Sequence, residues 1–157
     1  LTYRAKQAGY EPELILAGRK LNESMSKIIV NKFINLMLTK NISLSNPKVL
    51  ILGLTFKENC PDLRNSKVFD LVEHLRLKNF DVDVFDPWIS KDLIKRYEEI
   101  NLVNSIKKNY YDGAIVAVGH DCYKEMLNRE IMSFVKKTHV IYDMKYLLDP
   151  NLVTNSI

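Results

Sequence analysis

The chain has 157 residues, of which 46% are hydrophobic and 27% are charged, and its formal net charge is +4. This length and composition suit one compact globular domain with a hydrophobic core. No stretch approaches the roughly 18 uninterrupted apolar residues that a membrane span needs, and the lysines and arginines are scattered among acidic residues rather than grouped into a basic patch. We therefore expect neither a membrane nor a nucleic acid as a partner.

The chain begins without an initiator methionine and without a secretory pattern, so we interpret it as a fragment whose upstream sequence was removed. Its two cysteines, Cys60 and Cys122, form no CxxC motif and no Cys/His metal pattern. Two such thiols in a chain without a signal peptide are typical of the reducing cytosol. We expect a cytoplasmic protein without a metal site.

The first predicted element is a long helix over residues 11–40, in which apolar residues recur at three-and-four spacing. A helix of this length is unusual in a small domain. It either bridges two domains, pairs across a subunit interface or packs on its own domain, and the pattern alone leaves these alternatives open.

Four predicted strands follow, three of them short apolar runs at residues 48–53, 114–118 and 140–143, and one at residues 81–87 that is stopped by its proline. Helical patterns separate them at residues 66–78, 90–98 and 122–136, and Ser66 is a candidate N-cap. This alternation predicts an α/β fold, namely a doubly wound parallel sheet with helices on both faces. Ligands of such sheets bind beyond the carboxyl ends of the strands.

The loop after the first predicted strand carries the candidate binding residues. It has a single glycine, Gly53, where a dinucleotide-binding unit has GxGxxG, so a pyrophosphate cannot approach the backbone closely there. Lys57 and Arg64 offer cations suited to phosphate oxygens, and Phe56 offers an apolar wall to a base or a sugar. The alternative interpretation is a solvated loop with two incidental cations.

The same loop, with the sequence GLTFKENCPDLRNS over residues 53–66, resembles the opening of the C-terminal domain in the UDP-glucose/GDP-mannose dehydrogenase family. The family pattern is a strand, then G-x-x-[FY]-K, then D-x-R-x-S, and it is matched here by Gly53, Phe56, Lys57, Asp62, Arg64 and Ser66. The resemblance extends over residues 1–150. It is strongest to the branch that oxidises UDP-N-acetylhexosamines to uronic acids for surface polysaccharides.

The resemblance implies a UDP-sugar site lined by Phe56 and Lys57, with Lys57 near the diphosphate. Lys145 takes the place of a family residue that contacts the substrate, although the family's Gly-Arg is Met-Lys in this chain. Arg64 would lie at the domain cleft, close to the substrate phosphate or to the cofactor, which the resemblance implies is NAD, bound mainly by an N-terminal domain. The family's catalytic cysteine motif would end just before Leu1, so we expect no catalytic residue in this chain.

The resemblance also implies a division of the chain. Residues 1–45 would be the end of a central helical region that dimerises, and residues 46–157 would form the UDP-sugar-binding, Rossmann-like domain. The helix over residues 11–40 would then build a homodimer.

Other polar residues at the predicted strand ends have simpler explanations. We interpret Asp86 as a strand stop before Pro87, because it lies too far along the chain from Gly53 to hold a ribose as a Rossmann acid does. His120 could donate to a substrate or titrate near neutrality, but without an identifiable partner we interpret it as a polar loop residue. Trp88 could cover a base, although packing within its loop is the interpretation that we favour.

Two other classes of function compete with the UDP-sugar dehydrogenase. One is a non-enzymatic α/β ligand-binding or receiver-like regulatory module, which the lack of an acidic cluster after the first strand opposes. The other is a complete small Rossmann-type oxidoreductase, which the missing GxGxxG opposes.

Overall fold

The structure, a computed structural model, describes residues 4, 7, 9–95, 97 and 99–156. In chain order its elements are α1 (Glu13–Thr39), β1 (Lys48–Leu52), α2 (Val68–Arg76), β2 (Asp81–Phe85), α3 (Lys91–Ile94), β3 (Asn101–Leu102), β4 (Tyr111–Val116), α4 (Asp121–Phe134), β5 (Val135–Asp143), a 3₁₀ turn (Pro150–Leu152) and β6 (Asn155–Ser156). Residues 1–3, 5, 6 and 8, which the resemblance includes, lie outside the described part.

The strands form one parallel sheet in the order β3-β2-β1-β4-β5-β6. The predicted doubly wound parallel sheet is thereby confirmed. The direction of winding reverses between β1 and β4, and a crevice opens at the carboxyl ends of neighbouring strands where such a reversal occurs. The loops after β1, β2, β4 and β5 therefore meet at one edge.

Side chains that alternate along the strands divide the core into two layers, because successive residues of a strand point to opposite faces. Val49 and Ile51 of β1 pack in the layer that α1 and α2 cover. Leu50 and Leu52 pack in the other layer, under α4. With both faces covered, the strands are as apolar as the sequence predicted.

Helix α1 behaves differently at its two ends. Phe33 and Met37, in its second half, are fully buried, and a Cβ on Gly113 of β4 would lie 2.4 Å from the Phe33 ring. The sheet therefore needs a glycine at this point for the helix to pack so closely. In the first half, Leu14 and Leu21 are exposed. None of the described helices is both long and apolar enough to cross a membrane.

Several predicted boundaries were wrong, and packing explains two of them. Strand β4 begins at Tyr111 rather than at residue 114, because the buried Tyr111 hydroxyl donates to Asp83 of β2 at 2.8 Å. Strand β5 begins at Val135, directly after α4, and a register shift between Tyr111 and Gly113 accommodates its extra length. Residues 90–98 contain only the short helix α3, with residues 96 and 98 outside the described part.

Ser66 is not the N-cap of α2. The cap position is Lys67, which makes no side-chain capping hydrogen bond. The Ser66 hydroxyl instead donates to the carbonyl of Leu54 at 2.7 Å, and it accepts from the amide of Val68 at 3.3 Å. Ser66 therefore ties the start of α2 to the backbone that leaves β1.

Candidate functional site

A cavity of about 510 Å³ lies at the carboxyl edge of the sheet, between α1 and the loops that follow β1, β4 and β5. This volume is in the range of small-ligand sites. Its apolar inner wall includes Ile29 of α1 and Val118, and its rim includes Phe56 and Lys145. Two of the four predicted site residues therefore line one cavity, although they are far apart in the sequence.

The chain enters the site through a glycine that no other residue can replace without strain. Gly53 follows β1 with φ +92°, and a Cβ built on it would lie 2.5 Å from the Cβ of Val118. Both the positive φ and the close approach require glycine. We call residues 53–65, which start here, the Gly53 loop.

Asp86 holds the start of the Gly53 loop. Its buried carboxylate accepts from the amides of Leu54 at 2.6 Å, Thr55 at 3.1 Å and Trp88 at 2.8 Å. Burial alone raises the pKa of Asp86, but the hydrogen bonds from His120 and from these amides outweigh it and lower the pKa below its ordinary value. Strand β2 does end directly before Asp86, as expected, but Asp86 is more than a strand stop because it also holds the Gly53 loop.

His120 holds the middle of the same loop. It is fully buried, its Nδ1 accepts from the amide of Asn59 at 2.9 Å, and its Nε2 lies 3.1 Å from Oδ2 of Asp86. The side chain of Asn59 continues the contact, because its amide group donates to Asp121 and its oxygen accepts from the Asp121 amide. His120 does lie in the loop before α4, as expected, but it is buried and partnered, so the expectation that it has no partner was wrong.

Asp143 holds the other wall of the site. Its buried carboxylate accepts from the amide of Lys145 at 2.8 Å and from those of Leu147 at 2.7 Å and Leu148 at 2.9 Å. We call residues 144–148, which it organises, the Lys145 turn. The turn directs the Lys145 ammonium to the Gly53 loop, where Nζ donates to Oε1 of Glu58 at 3.0 Å.

The pKa of Glu58 is lowered, first by a hydrogen bond from its own backbone amide and then by Lys145. Both partners are only partly covered, so the pair contributes little to stability. It does hold a cation at the rim of the cavity.

Phe56 lies at the same rim, whereas Lys57, the next residue, does not line the cavity. The Phe56 ring is 52% exposed and lines the cavity. The ammonium of Lys57, an exposed residue, lies 5.7 Å from the centre of that ring, a cation–π distance. The backbone beneath them is fixed, because the Thr55 hydroxyl donates to the Lys57 carbonyl at 2.9 Å and the Phe56 amide donates to the Asp62 carbonyl at 2.8 Å.

Arg64 lies apart from the other three predicted residues. Its side chain is 85% exposed, and it donates from Nε and Nη2 to the Asp62 carboxylate. These hydrogen bonds lower the pKa of Asp62 to about 2. Arg64 lines a separate surface depression with Leu93 and Tyr97.

The cavity suits an anion attached to an apolar or aromatic group. Ser66 and Lys67 at the amino end of α2 line it, and a helix presents unpaired amides and a partial positive charge at that end. Lys145 adds a full charge at the rim. Among the described residues there is no group of His, Cys, Asp or Glu side chains that could hold a metal ion.

Neither cysteine has the environment of a nucleophile. Cys122 lies exposed at the start of α4, and its pKa is raised, chiefly by desolvation. A reactive cysteine needs a lowered pKa or a neighbouring base. Cys60 is a half-buried loop residue before Pro61.

The doubly wound sheet, the cavity at its carboxyl edge and the single-glycine loop together define an α/β domain whose cavity suits an anionic ligand. Residues 50–150 match the UDP binding domain of the UDP-glucose/GDP-mannose dehydrogenase family. The chain belongs to this family. The resemblance of the Gly53 loop is thereby confirmed, and the receiver-like alternative is excluded.

Two curated relatives are UDP-N-acetyl-D-glucosamine 6-dehydrogenases. The chain is 45% identical to the one from Salmonella typhi over 148 residues, which is 94% of this chain and 35% of the relative. It is 47% identical to the one from Pseudomonas aeruginosa, over 95% of this chain and 35% of the relative. The chain thus spans about a third of the length of the relatives that it matches.

Solved structures share the fold. A UDP-glucose dehydrogenase from Pyrobaculum islandicum superposes with a TM-score of 0.76 at 20% identity, over 99% of this chain and 34% of that one. The UDP-N-acetyl-mannosamine dehydrogenase Cap5O from Staphylococcus aureus gives a TM-score of 0.71 at 25% identity, over 91% and 32%.

Sequence reasoning missed the contacts that fix the Gly53 loop. Asp86 and His120 each follow a predicted strand, and the ends of parallel strands meet at one edge. That placement was the available signal, but it gives no pairwise distances.

Proposed function

We propose that this chain binds the nucleotide-sugar substrate of an NAD-dependent UDP-sugar 6-dehydrogenase. The substrate class would be a UDP-N-acetylhexosamine, oxidised to a uronic acid for surface polysaccharide biosynthesis in the cytoplasm. The observation that carries the proposal is the cavity that Phe56 and Lys145 share with the amino end of α2. The identity to the two UDP-N-acetyl-D-glucosamine 6-dehydrogenases supports this substrate class.

Each of the three substrate-binding residues, Phe56, Lys57 and Lys145, has a distinct role in this proposal. Phe56 would pack against the base or the sugar, because its ring already forms an exposed apolar wall. Lys57 and Lys145 would contact the diphosphate, with Lys145 exchanging Glu58 for a phosphate oxygen. An ammonium is a point charge that does not need the planar alignment of an arginine, so Met-Lys can replace the family's Gly-Arg.

The described residues do not form a dinucleotide site. The Gly53 loop has one glycine, so side chains cover its backbone. The hydrogen bond from the Asn59 backbone amide to His120 holds the loop against the edge of the sheet. NAD, which accepts a hydride from the sugar in such reactions, would therefore be bound mainly by residues outside this chain. Arg64 is the one contact to NAD that we assign here, because its exposed guanidinium lies outside the substrate cavity.

We further propose that residues 1–45 belong to a dimerising helical region and residues 46–157 to the UDP-sugar-binding domain. Leu14, Leu21 and Ile28 of α1 are spaced seven residues apart and are 89%, 59% and 38% exposed. Apolar residues at a heptad spacing are typical of a helix that pairs with another helix. These three residues form an exposed apolar stripe on α1. A second copy of this chain is the partner that we assign to this stripe.

Sedimentation equilibrium tests the dimer. The wild-type chain should associate at micromolar concentration, and Leu21→Glu should be monomeric because it places a charge in the centre of the stripe. A monomeric wild-type chain would show that α1 does not dimerise by itself.

Calorimetric titration with UDP, UDP-N-acetylglucosamine and NAD tests the substrate. We expect both UDP compounds to bind and NAD alone to give no heat. Lys57→Ala should weaken UDP binding by about tenfold, since it removes a charge-assisted contact. The matched control is Lys137→Ala, an exposed lysine near the amino end of β5. Unchanged affinity in Lys57→Ala would remove Lys57 from the site.

A further inference from the structure

The tip of the Gly53 loop is three residues long, and its first residue, Phe56, lines the cavity. Residues 56–58, the loop tip, carry the Phe56 ring, the Lys57 ammonium and the Glu58 carboxylate. The residues on either side of the tip, Thr55 and Asn59, both contact His120. The imidazole of His120 therefore contacts the loop on both sides of the tip.

The hydrogen bonds determine the tautomer of His120. A backbone amide can only donate, so Nδ1, which receives the Asn59 amide at 2.9 Å, carries no proton. The neutral ring then carries its proton on Nε2. That proton is directed to Oδ2 of Asp86 at 3.1 Å, with the Thr55 hydroxyl 3.3 Å from the same nitrogen.

The contacts continue into the tip. The Thr55 hydroxyl uses its own proton to donate to the Lys57 carbonyl at 2.9 Å, which leaves its oxygen free to accept from His120 Nε2. The one Nε2 proton of His120 is thus shared between the Asp86 carboxylate and the Thr55 oxygen, and the Thr55 hydroxyl continues the network to the backbone of Lys57. Such a network rigidifies the segment that it supports when each member is satisfied.

The packing around the ring leaves His120 one position. The Trp88 ring stacks on it with the ring centres 6.2 Å apart, and the Tyr123 ring meets it edge-on at 5.2 Å. The imidazole is fully buried. It therefore cannot exchange its protein partners for water without leaving this site.

We propose that His120 is a positioning residue of the UDP-sugar site, whose Nε2-protonated ring holds the loop tip so that Phe56 and Lys57 are already in place for the ligand. The assignment rests on the proposed function for the ligand, while the effect on the loop can be measured without one. Rigid placement of binding groups improves affinity because less ordering is required when the ligand binds.

Two substitutions separate the two nitrogens of His120. In His120→Asn the amide oxygen can occupy the place of Nδ1 and accept from Asn59, whereas in His120→Gln the amide nitrogen can occupy the place of Nε2 and donate to Asp86. The matched control is Tyr111→Phe, which removes a buried hydrogen bond to Asp83, away from the Gly53 loop.

We expect His120→Gln to weaken UDP binding by about tenfold, the effect of one lost hydrogen bond together with a disordered tip. The UDP affinity of His120→Asn should stay within about threefold of the wild type. This variant keeps the hydrogen bond from the Asn59 backbone amide, which holds the end of the loop tip. Tyr111→Phe should lower the unfolding midpoint and leave UDP affinity unchanged. If both His120 variants lost affinity only in proportion to stability, as a merely structural residue would, the inference would be overturned.

Nuclear magnetic resonance of the ligand-free chain gives the second readout. The wild-type imidazole should show an unprotonated Nδ1, and the Asn59 amide should be protected from hydrogen exchange in the wild type and in His120→Asn but not in His120→Gln. A protonated Nδ1, or full protection of Asn59 in His120→Gln, would overturn the inference whether or not UDP binds. Failure of the wild-type chain to bind UDP would instead count against the proposed function.

Discussion

Two buried aspartates at the carboxyl edge, Asp86 after β2 and Asp143 at the end of β5, hold the two walls of the site in different ways. Each accepts from the amide two residues further on, Trp88 and Lys145 respectively. The further amides that Asp143 accepts from, those of Leu147 and Leu148, belong to its own turn. Asp86 accepts from Leu54, more than thirty residues earlier in the chain, and from His120.

A buried aspartate therefore supports both walls of the site, but one wall is a local turn and the other is a long loop. The Lys145 turn is local, since an aspartate that binds nearby amides is a common turn device. The Gly53 loop is long and needs support from three strand ends. Asp86 therefore couples β1, β2 and β4, whereas Asp143 organises a single connection.

Replacing Asp86 should have the largest effect. Asp86→Ala leaves three amides and His120 without their acceptor, and we expect unfolding to become easier by about 3–5 kcal/mol. Urea denaturation measures the free energy, and amide exchange should show the loss of protection at Asn59. A cost below about 1 kcal/mol would mean that water replaces the carboxylate and that the coupling is weak.

Asp143→Ala should cost less, about 2 kcal/mol, because the turn that it holds is partly exposed and water can reach some of the freed amides. The same denaturation series measures it. UDP affinity should fall because Lys145 is no longer directed to the rim, while the protection of the Asn59 amide should be unchanged. If Asn59 lost protection in this variant too, the two walls would not be independent.

Protonation of Asp86 at low pH should weaken the hydrogen bonds that hold the Gly53 loop. The folded-state pKa of Asp86 lies below its ordinary value of 3.8, so its contribution to stability is fully present above pH 3.8 and is lost as the pH falls through the folded-state value. The effect should be smaller than that of Asp86→Ala. The free energy of unfolding, measured against pH for the wild type and Asp86→Asn, isolates it, and parallel curves for the two proteins would contradict it.

Glu58→Gln should have the smallest effect on stability, within about 0.5 kcal/mol, since it removes only a partly exposed ion pair. Its effect on UDP should be a gain of about threefold in affinity, because Lys145 no longer exchanges a carboxylate for the phosphate. Calorimetry measures the gain. A loss of affinity would show that Glu58 orients Lys145 rather than competing with the ligand.

The sheet could be predicted from the sequence because the central strands β1 and β4 are buried on both faces and carry nearly continuous apolar runs, while β2 is marked by its valines and by the proline that follows it. The boundaries of β4 and β5 could not, because they depend on the Tyr111–Asp83 hydrogen bond and on a register shift. Residue propensities and hydrophobic periodicity carry no information on the hydrogen bond or on the register shift.

Of the candidate site, the chemistry of the loop indicated Phe56, Lys57 and Arg64, the resemblance added Lys145, and the structure brings Phe56 and Lys145 to one cavity. The roles of Asp86 and His120 were not visible, since each depends on partners more than thirty residues away in the chain. Only the fold brings those partners together.

A crystal structure of the chain with UDP tests the central claim most directly. The proposed site predicts the diphosphate within hydrogen-bonding distance of Nζ of Lys57 or Lys145, the base or ribose against the Phe56 ring, and a loop tip that has not moved. UDP bound elsewhere, for instance in the depression beside Arg64 with the Phe56 cavity empty, would contradict it.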